Sequence, residues 1–249
     1  MTEDVADSVW KLFGTSFHLL MEKHGGKNAL IEERVYATIK GVKVSGCPDR
    51  VDQKYVWDWK TTKAYSRKSR LLEWSKQVNA YNYLLHVNGF EMEGLKILAL
   101  YKDWRRSEAL KDPSYPEKDV QIIDLPKWNH EDTKTFLEKR VELLEKNQEV
   151  PDDYLPECSA EEMWTRDEKF LVKKVEGKVA IKGGVKDTLK DAEEMVAAQT
   201  KPEAYRIEHK PGIRARCEGY CPVSEFCSQN MKYKIENGQE DHEKVEVEA

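Results

Sequence analysis

The stretch of sequence that decides the fold is GCPDRVDQKYVWDWK, residues 46–60. Its last six residues, 55–60, are dominated by Tyr, Val and Trp, which strands favour. The Asp52-Gln53-Lys54 segment before them has the polar character of a turn. Upstream, residues 35–44 place apolar positions on both sides of Lys40-Gly41. This pattern predicts two more strands joined by a tight turn.

Two aspartates in this stretch come together if the strands that carry them pair. Side chains alternate along a strand, so Asp58 and Lys60 face one side while Trp57 and Trp59 face the other. Carboxylate oxygens are the ligands that Mg²⁺ and Mn²⁺ prefer. We therefore expect a metal between Asp49 and Asp58, with the backbone carbonyl of Trp59 as a further ligand. Lys60 beside it would orient or deprotonate a water, or stabilise the phosphate charge.

The Asp-x-Lys pattern is short, and it also fits two surface aspartates that flank a turn. Two further features support a site. His18 falls on the first predicted helix, and Gln77 and Tyr81 are four residues apart, so they share one face of a later helix. The alternatives stay open: His18 as a structural histidine, and Gln77 and Tyr81 as helix surface and core edge.

Helices and strands alternate through the first 150 residues. The expected order is helix, antiparallel strands, helix, strand, which is an α/β layout with a mixed sheet. The apolar periodicity predicts helices at residues 9–23, 71–87 and about 130–147 and a strand at residues 95–101, with residues 102–126, which contain Pro113, Pro116 and Pro126, irregular.

These residues form four short patterns in a fixed order. They are G-x-x-x-H at residues 14–18, G-x-x-D at 46–49, D-x-K at 58–60 and Q-x-x-x-Y at 77–81. Together, over about residues 13–83, they resemble the RecB-type branch of the PD-(D/E)XK nucleases. That branch includes the adaptation nuclease of CRISPR systems and many phage-encoded relatives.

The resemblance implies a restriction-endonuclease-like core, with a mixed central sheet flanked by helices, that cleaves DNA with Mg²⁺ or Mn²⁺. It also implies roles for individual residues. Metal binding falls to His18, Asp49 and Asp58, catalysis to Lys60, and contact with DNA or support of the site to Gln77 and Tyr81, with Glu22 and Glu33 as secondary candidates.

The last third of the chain is expected to be a separate, cysteine-rich appendage. Residues 1–150 form the predicted core, residues 151–230 an appendage packed on it, and residues 231–249 an acidic, disordered tail. Within the appendage we expect a strand pair at residues 170–175 and 178–181 and a helix at 189–198, after a linker at 152–156.

The cysteines of the appendage predict a metal centre. Cys217, Cys221 and Cys227 lie within eleven residues, and Cys158 is the natural fourth ligand because it opens the appendage. Cys47 is set aside because it lies beside Asp49. Cytosolic proteins seldom use disulfides, so metal binding is the default for clustered thiols. Relatives of the nuclease branch carry an iron–sulfur cluster on one upstream and three C-terminal cysteines. We therefore favour [4Fe-4S] over Zn²⁺, although the spacing departs from the family's pattern.

Composition and charge narrow the remaining choices. The chain has 249 residues, no apolar run of the roughly 20 residues that a membrane span needs, and no basic, apolar signal sequence. We expect a cytoplasmic protein of a bacterial or phage-infected cell, with no membrane partner. The net charge of −5 argues against a nonspecific nucleic-acid binder. However, a basic cleft can exist on an acidic protein, and basic residues are dense at 60–70.

Two smaller clusters of aromatic and basic residues each allow a nucleic-acid-binding and a structural interpretation. Trp104, with Arg105 and Arg106, could stack on a base and hold phosphates, or it could fill an edge of the core. A basic cluster near the cysteines, which consists of His209, Arg214 and Arg216, could contact a DNA backbone or be a solvated face.

Three functions remain in view. The first is a Mg²⁺- or Mn²⁺-dependent deoxyribonuclease, an exonuclease acting on single- or double-stranded DNA ends in recombination or repair. The second is a non-cleaving nucleic-acid-binding recombination partner on the same fold. The third is a zinc-stabilised adaptor for a replication or packaging complex, in which the acidic tail and the appendage recruit a partner, such as a recombination or replication protein.

Overall fold

The computed structural model describes residues 5–24, 26 and 28–237. Contacts divide the chain into two compact units, Met1–Gln148 and Glu149–Ala249, and each is described by itself. Part of the tail that we expected to be disordered, residues 238–249, lies outside the described residues. The residues just before it are helical.

The first unit contains four helices and seven strands among its described residues. The helices are α1 (Val5–Lys23), α2 (Ser66–Val87), α3 (Arg106–Ala109) and α4 (His130–Asn147). The strands are β1 (Leu30–Ile31), β2 (Val35–Ile39), β3 (Val42–Gly46), β4 (Arg50–Val51), β5 (Tyr55–Thr62), β6 (Gly94–Tyr101) and β7 (Val120–Leu125).

A five-stranded mixed sheet organises this unit. Its order is β1-β4-β5-β6-β7, in which β5 and β6 are parallel and the other neighbours antiparallel. The parallel pair needs a crossover, and α2 supplies it. The hairpin of β2 and β3 turns at Lys40 and Gly41, which both have positive φ. The predicted α/β fold with a mixed sheet flanked by helices is confirmed.

The core explains why the central elements form. The apolar positions of β6 alternate between buried and half-buried, as expected for a strand covered on one face. Leu95 and Ile97 on β6 pack with Val56 on β5 and with Val78 and Leu85 on α2, and all five are at most 1% exposed. This packing holds α2 against the sheet, so side chains of α2 can contact side chains of β5.

The segment predicted to be irregular, residues 102–126, contains an unpredicted strand. Residues of β7 pair antiparallel with β6 from Leu95↔Leu125 to Leu100↔Val120. The prolines at 116 and 126 bound this strand, and it occupies a sheet edge where half of its side chains stay exposed. Its stability comes from pairing with β6, which a local sequence pattern does not contain.

The second unit is built on a three-stranded antiparallel sheet. Its elements are β8 (Thr165–Arg166), β9 (Lys169–Lys174), β10 (Ala180–Lys186), α5 (Leu189–Ala197), β11 (Tyr205–Lys210), β12 (Ile213–Arg214), α6 (Ala215–Gly219) and α7 (Ser228–Glu236). The order is β10-β9-β11, so the predicted strand pair gains a third member. None of the described helices combines the length and apolar character that a membrane crossing needs.

Candidate active site

Asp58 lies at the middle of β5 and is almost completely buried. Its side chain turns to the same side of the strand as that of Lys60, whose Nζ lies 2.7 Å from Asp58 Oδ2. Asp58 and Trp59 are 1% and 2% exposed, so both faces of the strand are covered here. Trp57, on the face opposite Asp58, donates its indole N–H to Asp52 at 2.8 Å. The alternation expected for these residues is therefore present.

Asp49 lies just before β4 and is held by the backbone of the neighbouring strand. Its Oδ2 accepts a hydrogen bond from the backbone N–H of Trp59. Pairing of Arg50 with Trp57 sets β4 against β5 and brings Asp49 to the position of Asp58. Asp49 is 7% exposed, so the two aspartates are buried rather than surface charges beside a turn.

Helix α1 contributes His18 to the site formed by Asp49 and Asp58. Its Nε2 lies 3.1 Å from the carbonyl oxygen of Trp59. Its Nδ1 lies 3.5 Å from Asp49 Oδ1 and 3.6 Å from Glu32 Oε1. The imidazole thus stands between a backbone carbonyl and two carboxylates, which is a different environment from that of a solvated surface histidine.

Gln77 joins α2 to the strand. It donates to Asp58 Oδ1 at 3.0 Å and to the Tyr81 hydroxyl at 2.7 Å, and its Oε1 accepts from Lys60 at 3.1 Å. One amide therefore connects both charged groups of β5. Because Gln77 and Tyr81 lie on one helix face, the predicted four-residue spacing has a structural use.

Gly46 is required by the close approach of Tyr81. A Cβ atom placed at Gly46 would lie 2.7 Å from Cδ1 of the Tyr81 ring, closer than real contacts allow. The glycine of the second pattern thus lets α2 pack directly against the end of β3.

The electrostatics of the site favour a cation. Burial, together with the charge of Asp58, raises the pKa of Asp49 to about 7. Burial also raises the pKa of Asp58, although the charge of Lys60 opposes that effect. Lys60 Nζ lies 2.7 Å from Asp58 Oδ2, so one ammonium faces two carboxylates. Two desolvated carboxylates with a single lysine beside them leave net negative charge, which a divalent cation would offset.

The donor set suits a hard metal ion. Carboxylate and carbonyl oxygens and an imidazole nitrogen are donors that Mg²⁺ and Mn²⁺ accept. His18 Nε2 makes a hydrogen-bond contact of 3.1 Å with the Trp59 carbonyl, and its Nδ1 faces Asp49 and Glu32. Four residues expected from the sequence could hold an ion, namely His18, Asp49, Asp58 and Trp59 through its carbonyl, although Asp58 lies outside the group of ligand atoms that converge most closely.

Glu32 is a candidate that sequence reasoning missed. Its carboxylate lies beside His18 and accepts from Cys47 Sγ at 3.5 Å. The secondary candidate named from the sequence was its neighbour Glu33; both residues are exposed, and the contacts with His18 and Cys47 are made by Glu32. Glu32 has a positive φ of 52° directly after β1, and its N–H donates to the Asp49 carbonyl. This turn places the Glu32 carboxylate beside His18, and no pattern in the sequence predicts such a turn. Glu22 on α1 is half-buried.

Two groups of three side chains among the described residues have their possible ligand atoms within 4.8 Å of one another. One is His18, Glu32 and Asp49. The other is His86, Glu91 and His130, whose imidazoles stack at 3.7 Å between ring centroids. The nitrogen lone pairs of His86 and His130 lie in two parallel ring planes, so they cannot both point at one ion. The group of His18, Glu32 and Asp49 is therefore the better metal site.

The four cysteines of the second unit are near one another. Burial first, and then the neighbouring thiols Cys221, Cys227 and Cys158, raise the pKa of Cys217. Cys158 is tied to α7 by two hydrogen bonds with Gln229, at 2.9 and 3.0 Å.

A cavity of about 350 Å³ is lined by Cys158 and Cys227. In the part of the chain that the structure describes, no three of the cysteine sulfurs gather within 4.8 Å. A tetrahedral zinc–thiolate site, with bonds of about 2.3 Å, would hold its sulfurs about 3.8 Å apart. The cysteine set is thus more open than a closed zinc site.

The two smaller clusters have structural partners. Trp104 packs against the core and donates to the Pro116 carbonyl at 2.8 Å, which favours the core-edge interpretation. His209 pairs with Glu168 at 2.8 Å and stacks on Phe170. Arg214 covers the Tyr233 ring at 4.0 Å.

Comparisons with known proteins agree with this geometry. Residues 21–228 match the family model of the PD-(D/E)XK nuclease superfamily. No curated protein matches the chain. The solved structure of SSO0001 is 18% identical, with a TM-score of 0.39 over 62% of this chain and 72% of that one. A candidate exonuclease from Eubacterium rectale is 13% identical, with a TM-score of 0.36 over 59% of this chain and 54% of that one. Because both scores are low, the assignment rests on the family model.

Proposed function

Since the chain belongs to the PD-(D/E)XK nuclease superfamily, we propose that it is a Mg²⁺- or Mn²⁺-dependent deoxyribonuclease that hydrolyses phosphodiester bonds. One observation carries the proposal. Two buried aspartates, Asp49 just before β4 and Asp58 on the neighbouring strand β5, lie in one site, and Lys60 is the positive side chain in contact with Asp58. Such an arrangement costs folding free energy, and a bound cation that serves a reaction would explain why it is present.

The residues that would hold the ion are Asp49, Asp58, His18 and the carbonyl of Trp59, with Glu32 as an outer partner of His18. When bound, such an ion lowers the pKa of a water and neutralises charge on the phosphate. The backbone N–H of Trp59 holds Asp49 in place, and Gln77 holds Asp58. Both carboxylates therefore keep their positions before substrate arrives.

Lys60 supplies the positive charge of the site. Its ammonium is fixed between Asp58 and Gln77, with about a quarter of the side chain exposed. From there it can donate to an attacking water or to a phosphate oxygen in the strand. Tyr81 fixes the other face of Gln77, so we assign Gln77 and Tyr81 to positioning.

We further propose that the enzyme is an exonuclease of the RecB-type branch, acting on single- or double-stranded DNA ends in recombination or repair in the cytoplasm of a bacterial or phage-infected cell. The order and spacing of the four patterns from Gly14 to Tyr81 support this branch. A non-cleaving binding protein or an adaptor has no evident need for a buried Asp49, Asp58 and Lys60 set. These alternatives are outcomes of the test below.

For the second unit we propose a [4Fe-4S] cluster on Cys158, Cys217, Cys221 and Cys227. The combination of one upstream and three C-terminal cysteines, which resembles the cluster-bearing relatives of the RecB-type branch, supports a cluster over a single Zn²⁺. Its role is structural: it would join the Cys158 loop to the segment that leads into α7.

The test is digestion of end-labelled DNA, single- and double-stranded, with Mg²⁺, Mn²⁺ or EDTA. Wild-type protein should cleave with either metal and not with EDTA, and Asp58→Ala should not cleave. Release of the label as mononucleotides, rather than internal fragments, identifies an exonuclease. Absence of cleavage by the wild type under every condition would favour the binding or adaptor function. Persistent cleavage by Asp58→Ala would refute the site.

A further inference from the structure

Two lysines lie side by side where the parallel strands of the central sheet end. Lys63 directly follows β5 and Lys102 directly follows β6. Thr62 pairs with Tyr101 in the parallel register, and the backbone N–H of Lys102 donates to the Thr62 carbonyl at 3.0 Å. The strand register therefore places both lysines at the same sheet edge, one step beyond the strand that carries Lys60.

The side chain of Lys102 is half-buried among other positive charges. Its Nζ lies 4.1 Å from the centroid of the Trp10 ring on α1, and this contact with the ring face stabilises the ammonium. Burial first, and then the charges of Lys63 and Arg70, lower the pKa of Lys102. The carboxylate of Asp103 opposes these effects, but its Oδ1 accepts the backbone N–H of Ala64 at 2.8 Å. Partial burial among like charges is a cost that an anionic ligand would relieve.

The amino end of α2 adds further positive character at this edge. The helix has 22 residues, its N-cap Tyr65 makes no side-chain capping bond, and its first turn contains no acidic residue. Ser66 N–H donates to the Lys63 carbonyl at 3.1 Å, so the helix starts directly on the lysine that ends β5. The uncapped N–H groups and the helix dipole of such an end attract anions.

We propose that Lys63, Lys102 and the amino end of α2 form a phosphate-binding subsite for the nucleic-acid strand next to the cleaved bond. The proposal rests on the nuclease function proposed above. Lys60 and Lys63 are three residues apart along an extended strand, about 10 Å. The axial rise of a duplex is about 3.4 Å per nucleotide, but the backbone winds around the axis, so neighbouring phosphates of one strand lie about 6–7 Å apart. The subsite therefore holds a phosphate about one or two nucleotides from the scissile one.

This subsite gives a reason for the local excess of basic residues on a chain whose net charge is −5. A protein that must keep buried carboxylates at its reactive centre needs positive charge beside that centre to hold a polyanion. Contacts to phosphate position the strand without reading its bases. The subsite therefore sets which bond reaches Lys60 and leaves sequence preference unchanged.

The test compares the wild type with Lys63→Ala/Lys102→Ala. Lys146→Ala, an exposed lysine near the end of α4, is the control for loss of charge. Binding of a fluorescent oligonucleotide is followed with Ca²⁺ in place of Mg²⁺ over a range of salt concentrations. Cleavage kinetics are then measured with Mg²⁺. The double variant should bind about 10- to 100-fold more weakly, with the salt slope reduced by about 1 per lysine. Its KM should rise with kcat nearly unchanged.

Neutral methylphosphonate linkages locate the contact. They are placed one at a time along the strand. A linkage within about two nucleotides of the scissile bond should weaken binding by the wild type and leave binding by the double variant unchanged. Equal affinity and salt slope for the double variant and the wild type would overturn the subsite. So would a methylphosphonate effect that persists in the double variant. If DNA is bound as expected but never cleaved, the nuclease function fails while the subsite stands.

Discussion

Asp58 is 1% exposed in the first unit, whereas Cys158 in the second unit is exposed and its three partner cysteines are half-buried. The oxygen ligands lie on a central strand and its flanking elements, each fixed by hydrogen bonds to the backbone or to Gln77. The thiols lie in the irregular Cys158 loop, within the short helix α6, and in the segment that joins α6 to α7. If both sites bind metal as proposed, the comparison separates two uses of it. We expect the buried carboxylate site to exist before metal binds and the thiol site to depend on metal for its order.

The largest expected difference is in cleavage. Asp58→Asn keeps the shape of the side chain and removes its charge, so the rate of DNA cleavage should fall at least about 1,000-fold. Its stability without metal should change by no more than about 2 kcal/mol, because loss of the ion pair with Lys60 is offset by removal of a desolvated charge. Asp124→Asn, on β7, removes a surface aspartate paired with Lys96 and is the control, with full activity. Cleavage and stability lost together in Asp58→Asn would contradict a preformed site.

The opposite behaviour is expected of the thiol site. Cys221→Ser should lose the bound iron or zinc and destabilise the second unit, lowering its melting temperature by more than about 10 °C. The control is Cys47→Ser, since Cys47 belongs to the first unit and contacts Glu32. Metal analysis and calorimetry measure both effects. Full metal content in Cys221→Ser, or equal loss in Cys47→Ser, would remove the contrast between the sites.

The stability of the metal-free protein should depend on pH through the buried carboxylate of Asp49. The pKa of Asp49 is about 7 in the folded protein, against an ordinary value of 3.8. Between these values the folded state holds a proton that the unfolded chain has released. The free energy of unfolding of the metal-free protein should therefore decrease as the pH rises from 4 to 7, by at most about 4 kcal/mol.

Urea unfolding in EDTA at pH 5 and pH 8 measures this decrease. Asp49→Asn should show a clearly smaller change, because it has no proton to lose at that position. Manganese should stabilise the wild type more at pH 8 than at pH 5, since protons compete with the metal for the same oxygens. A wild type that is as stable at pH 8 as at pH 5 would place Asp49 in a less buried environment.

The smallest expected effect concerns packing behind the oxygen site. Gly46→Ala should cost about 1–3 kcal/mol of stability and reduce cleavage, because its methyl group would meet the Tyr81 ring that fixes Gln77. Gly219→Ala, where nothing lies within 4 Å, is the matched control in the second unit. If the two variants have the same stability and activity, close contact of α2 with β3 is not needed.

The sequence contained the residues of the site but not all of its geometry. Local patterns predicted β5 and its alternation, so the amino-acid sequence alone placed Asp58 and Lys60 on one side of a strand. The spacing of Gln77 and Tyr81 likewise predicted a shared helix face. Asp49 needed the pairing of β4 with β5, which a hairpin pattern only suggests.

What could not be predicted depends on contacts distant in the chain. The edge strand β7 is stabilised by β6, and α2 begins at Ser66, before the residue expected, because its charged first turn has no apolar periodicity to detect. Glu32 reaches His18 through a backbone turn with positive φ at a residue type that seldom adopts it. Each feature is decided by tertiary packing, which local propensity does not include.

The central claim is that the buried carboxylates bind a catalytic divalent metal. Anomalous diffraction from crystals soaked in Mn²⁺, collected at the manganese and iron absorption edges, tests it most directly. The account predicts a manganese peak bonded to Asp49, Asp58 and the Trp59 carbonyl, with His18 beside or bonded to it, and no such peak in Asp58→Asn crystals. A manganese peak elsewhere, at His86, Glu91 and His130 for example, with none between Asp49 and Asp58, would contradict it.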